Sequence, residues 1–389
     1  MKRPSIRMLT HVADRLRVSL EMLVPEVMEN GIPVPEMIRL ARSLCREDKF
    51  DLALDILQHA NEKDEKDGGQ YRVDRLEAEA YVQFLRSNLE RALDLYSQVG
   101  KIRERGGNPL LIAEAYHAMG LVESKRKRPQ HASHWFFIAW ERLSPVHTRH
   151  REFALELLMK YGETLVKIGR YRTARSIYER SLSLMQSEDE HDDHVEVLRG
   201  IARCATETGD LKEAEQYLHT AVEKVERTDH RRRLAGLLKE LGVVVRRQGR
   251  PDQALPHLNR ALSLIEEIGG DPLNTINEIA ECHLALTDDP PEVMEELNHR
   301  LTPDVLQRAS STDRMHHLFL QTETLRRKEM YSQALETARE AFNPGLPDSP
   351  GSLTLRILAV ALDSARREGD SCGIEWVVDH LRSMAAIAT

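Results

Sequence analysis

With 389 residues, 41% of them hydrophobic, 30% charged and only 5% aromatic, the chain has the profile of a globular helical protein rather than a disordered one. A formal charge of −8 and a pI near 6.1 exclude a broad electrostatic clamp for nucleic acid, which needs a dense positive field to displace phosphate counterions. No apolar run approaches the roughly 20 residues that span a bilayer, so the sequence predicts no membrane anchor and a cytoplasmic location.

Residues 1–24 stand apart from the rest of the chain. Pro4 and Ser5, then Leu9, Val12, Ala13, Leu16, Val18, Ser19 and Leu23, resemble the last two helices of the lambda-repressor-like (Cro/cI-type) helix-turn-helix domain. The resemblance implies that the base-reading third helix would lie before Met1, leaving Lys2, Arg3 or Arg7 to touch phosphate at most. DNA is therefore expected as a partner only if such a head precedes Met1. The plainer alternative is an amphipathic cap on the repeat region. Residues 25–35, rich in Pro and Gly, read as a linker.

From residue 36 to 389 the chain repeats. Around LLMKYGETLVKIGRYRTARSIYERSL, Gly162, Gly169, Tyr171, Ala174 and Tyr178 sit at the offsets of the tetratricopeptide consensus. Steps of about 40 residues place further turns at Asp48, Ser87, Lys127, Gly209, Gly249, Asp289, Glu329 and Gly369. Five residues after each turn come Ala53, Ala92, Ala132, Ala174, Ala214, Ala254, Met294, Ala334 and Ile374; seven before it stand mostly small residues, such as Ala41, Ala80, Gly120, Gly162, Ala202 and Gly242. Two antiparallel helices pack tightly only where both drop their side chains at the crossing, and Tyr96, Phe136, Tyr178, Leu218 and Leu258 then supply bulk toward the next hairpin. The expected fold is all-α: a right-handed tetratricopeptide-like superhelical solenoid of about nine hairpins. In the seventh copy, Pro290 and Pro291 are expected to break the helix pattern, as a hinge or as a tolerated defect.

A repressor-like head joined to such hairpins resembles the Rap/NprR/PlcR/PrgX group of peptide-pheromone receptors. That resemblance implies a concave groove capturing a short extended peptide, with binding altering superhelical pitch and dimer geometry, and asparagines gripping the ligand backbone; Asn259, Asn274 and Asn277 are available. If first helices line the groove, its inward residues include Glu77, Tyr81, His117, Lys160, Glu163, Arg199, Arg203, Lys239, Val243, Arg246 and Glu323. Of these, Tyr81, His117, Lys160, Glu163, Arg199, Arg203, Lys239 and Arg246 are the candidate peptide-binding set, the four cations from Arg199 onward being suited to a peptide carboxylate. The alternative for each is a solvated face with intrahelical pairs such as Glu163 to Lys167. A homodimer would use the C-terminal hairpins, where Trp376, Val377 and the tail from Met384 to Ala388 offer apolar surface.

Nothing in the sequence carries catalysis: no phosphate loop, nucleophile elbow or Ser/His/Asp order is present. No cofactor is expected. His191, Asp192, Asp193 and His194, and the pair His131/His134, lack metal-ligand spacing; the first group reads as a solvated loop. Cys45, Cys204, Cys282 and Cys372 read as small buried side chains. Trp135, Phe136, Phe137 and Trp140 read as a core seam, and Arg231–Arg233 as a basic patch at a helix start. A constitutive tetratricopeptide scaffold for protein partners, with no DNA-binding role, stands as the competing function.

Overall fold

A computed structural model describes residues 32–185, 191–226, 228, 230–286, 296, 297, 299–342 and 351–387. The helix-turn-helix resemblance, most of the linker and the Pro290–Pro291 break lie outside them. The chain divides into two compact units, residues 1–190 and 191–389.

Among the described residues of the first unit, eight α-helices form four hairpins: α1 Val34–Leu44 with α2 Phe50–Lys66, α3 Arg72–Leu85 with α4 Leu89–Gly106, α5 Pro109–Lys125 with α6 Pro129–Leu143, and α7 Arg151–Lys167 with α8 Tyr171–Leu184. In the second unit α9 His191–Thr208 pairs with α10 Leu211–Glu226, and α11 Arg231–Arg247 with α12 Pro251–Glu267. Next come α13 Leu273–Leu286, the short α14 Pro303–Arg308, α15 Ser311–Arg327 with α16 Tyr331–Glu340, and α17 Gly351–Glu368 with α18 Ser371–Ile387. Helix α1 starts within the stretch read as linker, with Pro33 as its N-cap.

Within each unit the second helix of a hairpin packs on the first helix of the next, and first helices also meet directly, as α1 meets α3, α13 meets α15 and α15 meets α17. This is a one-dimensional stack whose core grows by neighbours, because no hairpin can cover its own apolar stripe. The architecture is the tetratricopeptide-like solenoid that the period implied.

The turns follow the sequence register closely. Asp48, Ser87, Lys127, Gly169, Gly209, Gly249, Glu329 and Gly369 all have φ between 57° and 91°. The residue after each donates its N–H to a carbonyl on the last turn of the first helix, as in Arg128 to Glu123 (3.0 Å), Arg170 to Leu165 (2.9 Å) and Asp370 to Ala365 (2.9 Å). At these eight turns the first helix thus ends in a Schellman motif whose left-handed residue reverses the chain. A side chain at that residue costs ~1–2 kcal/mol against glycine's free access. Lys127 is exposed, so Lys127→Gly is expected to raise stability by about 0.5–1 kcal/mol after glycine's own entropic cost, measured by urea denaturation.

Ala53, Ala92, Ala132, Ala174, Ala214, Ala254 and Ala334 are all fully buried at the crossing points. Opposite them the first helices approach so closely that an added Cβ at Gly120 would meet the Phe136 ring at 2.5 Å, and one at Gly162 the Tyr178 ring at 2.8 Å. The large residues therefore fill the space left inside their own hairpin, not only the gap to the next. In the last hairpin the tight positions are Ala361 and Gly373, each one residue earlier than counting from Gly369 places them, Gly373 in place of Ile374.

Three further expectations need correction. Cys372 is exposed at the start of α18, while Cys45, Cys204 and Cys282 are buried. His191–His194 open helix α9 instead of lying in a loop, with Asp192 and Asp193 in its first turn, where acidic residues suit the helix dipole. The aromatic seam of α6 is split: Phe136 and Trp140 are core, Trp135 stacks on Tyr116 with centroids 5.6 Å apart, and Phe137 is 47% exposed.

Candidate functional site

Helical geometry decides what each first helix can present. Its small residue faces the second helix, so residues on that face are buried and those around the cylinder from it stay open. His117 stands three residues before Gly120 and shares its face, which is why it departs from the groove reading. It lies between the rings of Phe136 (centroids 5.6 Å) and Phe153 (5.3 Å, edge-on), 5% exposed. Burial, with the charge of Lys160 adding to it, pushes its pKa down to about 4, so it is a neutral core histidine.

The other candidates of the first unit are open. Tyr81 on α3 is 41% exposed. Lys160 and Glu163 on α7 pair with each other at 3.6 Å, and Lys167 joins Glu163 at 2.8 Å, the intrahelical alternative expected from spacing. Glu77 receives Arg103 at 2.9 Å and Arg42 at 3.4 Å.

In the second unit, Arg199 and Arg203 stand on α9, and Lys239, Val243 and Arg246 on α11. Arg199 is gripped by Glu240 of α11, its Nε lying 2.9 and 3.0 Å from the two carboxylate oxygens. That hydrogen bonding raises its pKa further, burial opposing. Arg246 donates from Nε to Glu278 of α13 at 2.9 Å and approaches Glu281 at 3.9 Å. Arg203 and Lys239 have no ion-pair partner among the described residues. Two of the four cations are thus braced by the next hairpin and two are open.

Two cavities lie along the α9/α11 furrow. One, about 750 Å3, is lined by Glu196, Arg199, Gly236 and the run His230–Arg233. The other, about 190 Å3, has Leu218, Val243 and Val244 as its apolar part, with Arg203 and Arg247 beside them. Arg199 lines the first and its partner Glu240 the second, so this ion pair separates them.

Further along, Glu281 of α13 gathers three side chains: His316 Nε2 of α15 at 3.0 Å and the guanidinium groups of Arg356 of α17 at 3.4 Å and Arg246 of α11 at 3.9 Å. Arg356 also sits over the Phe319 ring, 4.0 Å from its centroid. Burial would raise the Glu281 carboxyl, but the His316 hydrogen bond and the two arginine charges outweigh it and hold the pKa at about 2. Asn274 and Asn277 are not free to grip a ligand: they donate to the Asp313 side chain (2.7 Å) and backbone carbonyl (2.9 Å). Glu323 is held by Arg326 and Arg327 on its own helix.

The carboxylates Glu240, Glu278 and Glu281 were missed from sequence. Their signal is a charge of opposite sign roughly one repeat away: 41 residues from Arg199 to Glu240, 32 from Arg246 to Glu278, 35 from Glu281 to His316. Among the described residues no cluster of three or more His, Cys, Asp or Glu could hold a metal ion, and no helix is long and apolar enough to cross a membrane.

The stacked hairpins with left-handed turns and buried alanines define a tetratricopeptide-type helical-repeat protein. Residues 153–227 match the tetratricopeptide repeat family model. Among solved structures, the apo form of RapI is similar at 13% identity, over 87% of this chain and 99% of its own, with a TM-score of 0.56. The apo form of the quorum sensor NprR from B. thuringiensis is similar at 12% identity, over 87% and 96%, with a TM-score of 0.51. At such identities the likeness is one of fold. None of the curated proteins compared with the chain matches it.

Proposed function

We propose that the first-helix layer is a receptor surface for a short extended peptide, and that the chain is the sensing part of a cytoplasmic transcriptional regulator without enzymatic activity. The observation that carries this reading is the α9/α11 furrow, where braced Arg199 stands one helical turn from Arg203 and Val243 lines the same cavity as Arg203, with neither Arg203 nor Lys239 of α11 in an ion pair among the described residues. Braced guanidinium groups lose little freedom on binding, and open ones supply charge-assisted hydrogen bonds. Support of a coarser kind comes from the shared fold with a quorum sensor. In this reading Tyr81, Lys160, Glu163 and Arg246 extend the contact surface, a homodimer forms through the C-terminal hairpins, and DNA is a partner only through a helix-turn-helix head before Met1.

A melting-curve screen with synthetic heptapeptides tests the reading. A ligand at 100 times its Kd should stabilise the chain by about 2.7 kcal/mol, an effect that Lys239→Ala and Arg203→Ala should reduce. If no peptide moves the curve, the receptor reading fails. One observation favours a constitutive adaptor instead: Phe137 lies exposed on the second-helix layer, on the same helix as the His134 and Trp135 rings, which meet at a tilt of 59°, where a folded partner would find an aromatic anchor. Stable capture of a partner protein that Phe137→Ala abolishes would favour that role.

A further inference from the structure

We propose that the larger α9/α11 cavity is a carboxylate-recognition subsite, so that the peptide this chain takes is acidic; the inference rests on the reading of the first-helix layer as a peptide receptor. Two locally unfavourable choices meet at this one cavity. Arg231, Arg232 and Arg233 occupy the first turn of α11, where positive charge opposes the helix dipole. One turn on, Gly236 interrupts a helix interior, where glycine is a poor former. The glycines at 120, 162 and 242 are each demanded by a ring or leucine against them, but an added Cβ at Gly236 would meet nothing within 4 Å. Packing does not require it, and its bare backbone keeps the cavity floor open. Places where local rules break without a packing reason are where function is expected.

The guanidinium groups around this floor are ordered. Arg199 is held by Glu240, Arg233 by Asp192 and by Glu196 at 3.7 Å, and Arg231 by Glu267 at 2.9 Å. Arg232 has no partner among the described residues and lines the cavity. An incoming carboxylate therefore meets one uncommitted guanidinium, with the others held around it in fixed orientations, and an aliphatic neighbour in the ligand can lie over Val243 in the second cavity. The same arginines would attract phosphate. A nucleic-acid strand, which needs several phosphates neutralised at once, is disfavoured because Arg199, Arg231 and Arg233 already hold carboxylates of this chain and the net charge is −8.

The test uses the full chain on an array of random-sequence heptapeptides, in one set with free C-terminal carboxylates and in a second set amidated. Binders should be enriched in Asp and Glu, and replacing those residues by Asn and Gln should weaken them about tenfold. A preference confined to the free-carboxyl set would assign the subsite to the chain end rather than to a side chain. Binding measured by fluorescence anisotropy should fall about tenfold in Arg232→Ala, and as far in Gly236→Leu, which fills the cavity while leaving the melting temperature unchanged or higher. Binders without acidic bias, or binders indifferent to both substitutions, would overturn the subsite and leave the receptor reading standing. An oligonucleotide that binds with the same dependence on Arg232 would overturn it in favour of phosphate. Absence of any binder on the array would remove the receptor reading as well.

Discussion

Replacing Asp64 by alanine is expected to cost the first unit about 3–5 kcal/mol, the largest loss of any single polar substitution in it. Asp64 is completely buried near the end of α2, and it meets Arg75 of α3, itself 7% exposed, through a 2.8 Å bond from Nε. Its other oxygen accepts the backbone N–H of Tyr71 at 3.0 Å, just ahead of α3. One carboxylate thus ties two successive hairpins together and satisfies a donor at a helix start. Removing it leaves a guanidinium buried without its counter-charge and a backbone donor without its acceptor, and these desolvation costs, not the intrinsic worth of the ion pair, set the magnitude. Urea denaturation of the full chain should show the loss. An Asp64→Ala, Arg75→Met double variant should recover much of it, because a long apolar side chain can occupy the site without an unpaired charge. A loss under about 1 kcal/mol in the single variant would mean that water reaches Arg75 and that the two hairpins do not depend on this ion pair.

The backbone of this fold was legible because period and sterics constrain the same residues. The left-handed turn residue, the alanine five positions on and the small residue seven before are all demanded by one geometry, so even Lys127 and Glu329, poor choices for a positive φ, could be placed by counting. The candidate site was read less well. Which cations are open depends on partners about one repeat away, and a period of 40 locates a repeat without saying which rotamer reaches across it. Arg199 and Arg203 are one helical turn apart and look alike in sequence, yet only Arg199 meets a glutamate of α11. His117 was misread for a related reason: polarity argued for the surface, while its position three residues before Gly120 argued for the interior, and the aromatic cage of Phe136 and Phe153 decided the matter. Gly236 carried a signal that counting repeats passes over, since it lies off the recurrent small positions.

The second large effect is a loss of stability in acid that centres on Glu281. Its carboxyl titrates at about 2 in the fold against an ordinary value of 4.5. A carboxyl whose folded pKa is depressed stabilises the fold fully above the unfolded value, and the contribution drains away as pH falls through the folded value. The window is therefore pH 4.5 down to about 2, and the contribution at neutral pH is on the order of 3 kcal/mol. Glu281 gathers Arg246, His316 and Arg356 from three helices, so its protonation loosens α11, α15 and α17 together. Glu281→Gln keeps the volume and removes the charge. Its stability should change less than that of the parent chain between pH 4.5 and 2, and at pH 7 it should fall below the parent, since two arginines lose their shared counter-charge. Denaturant titrations of both proteins at pH 7, 4.5, 3 and 2 measure this directly. Parallel curves at every pH would show that Arg246, His316 and Arg356 find other partners and that Glu281 is not the hub of this layer.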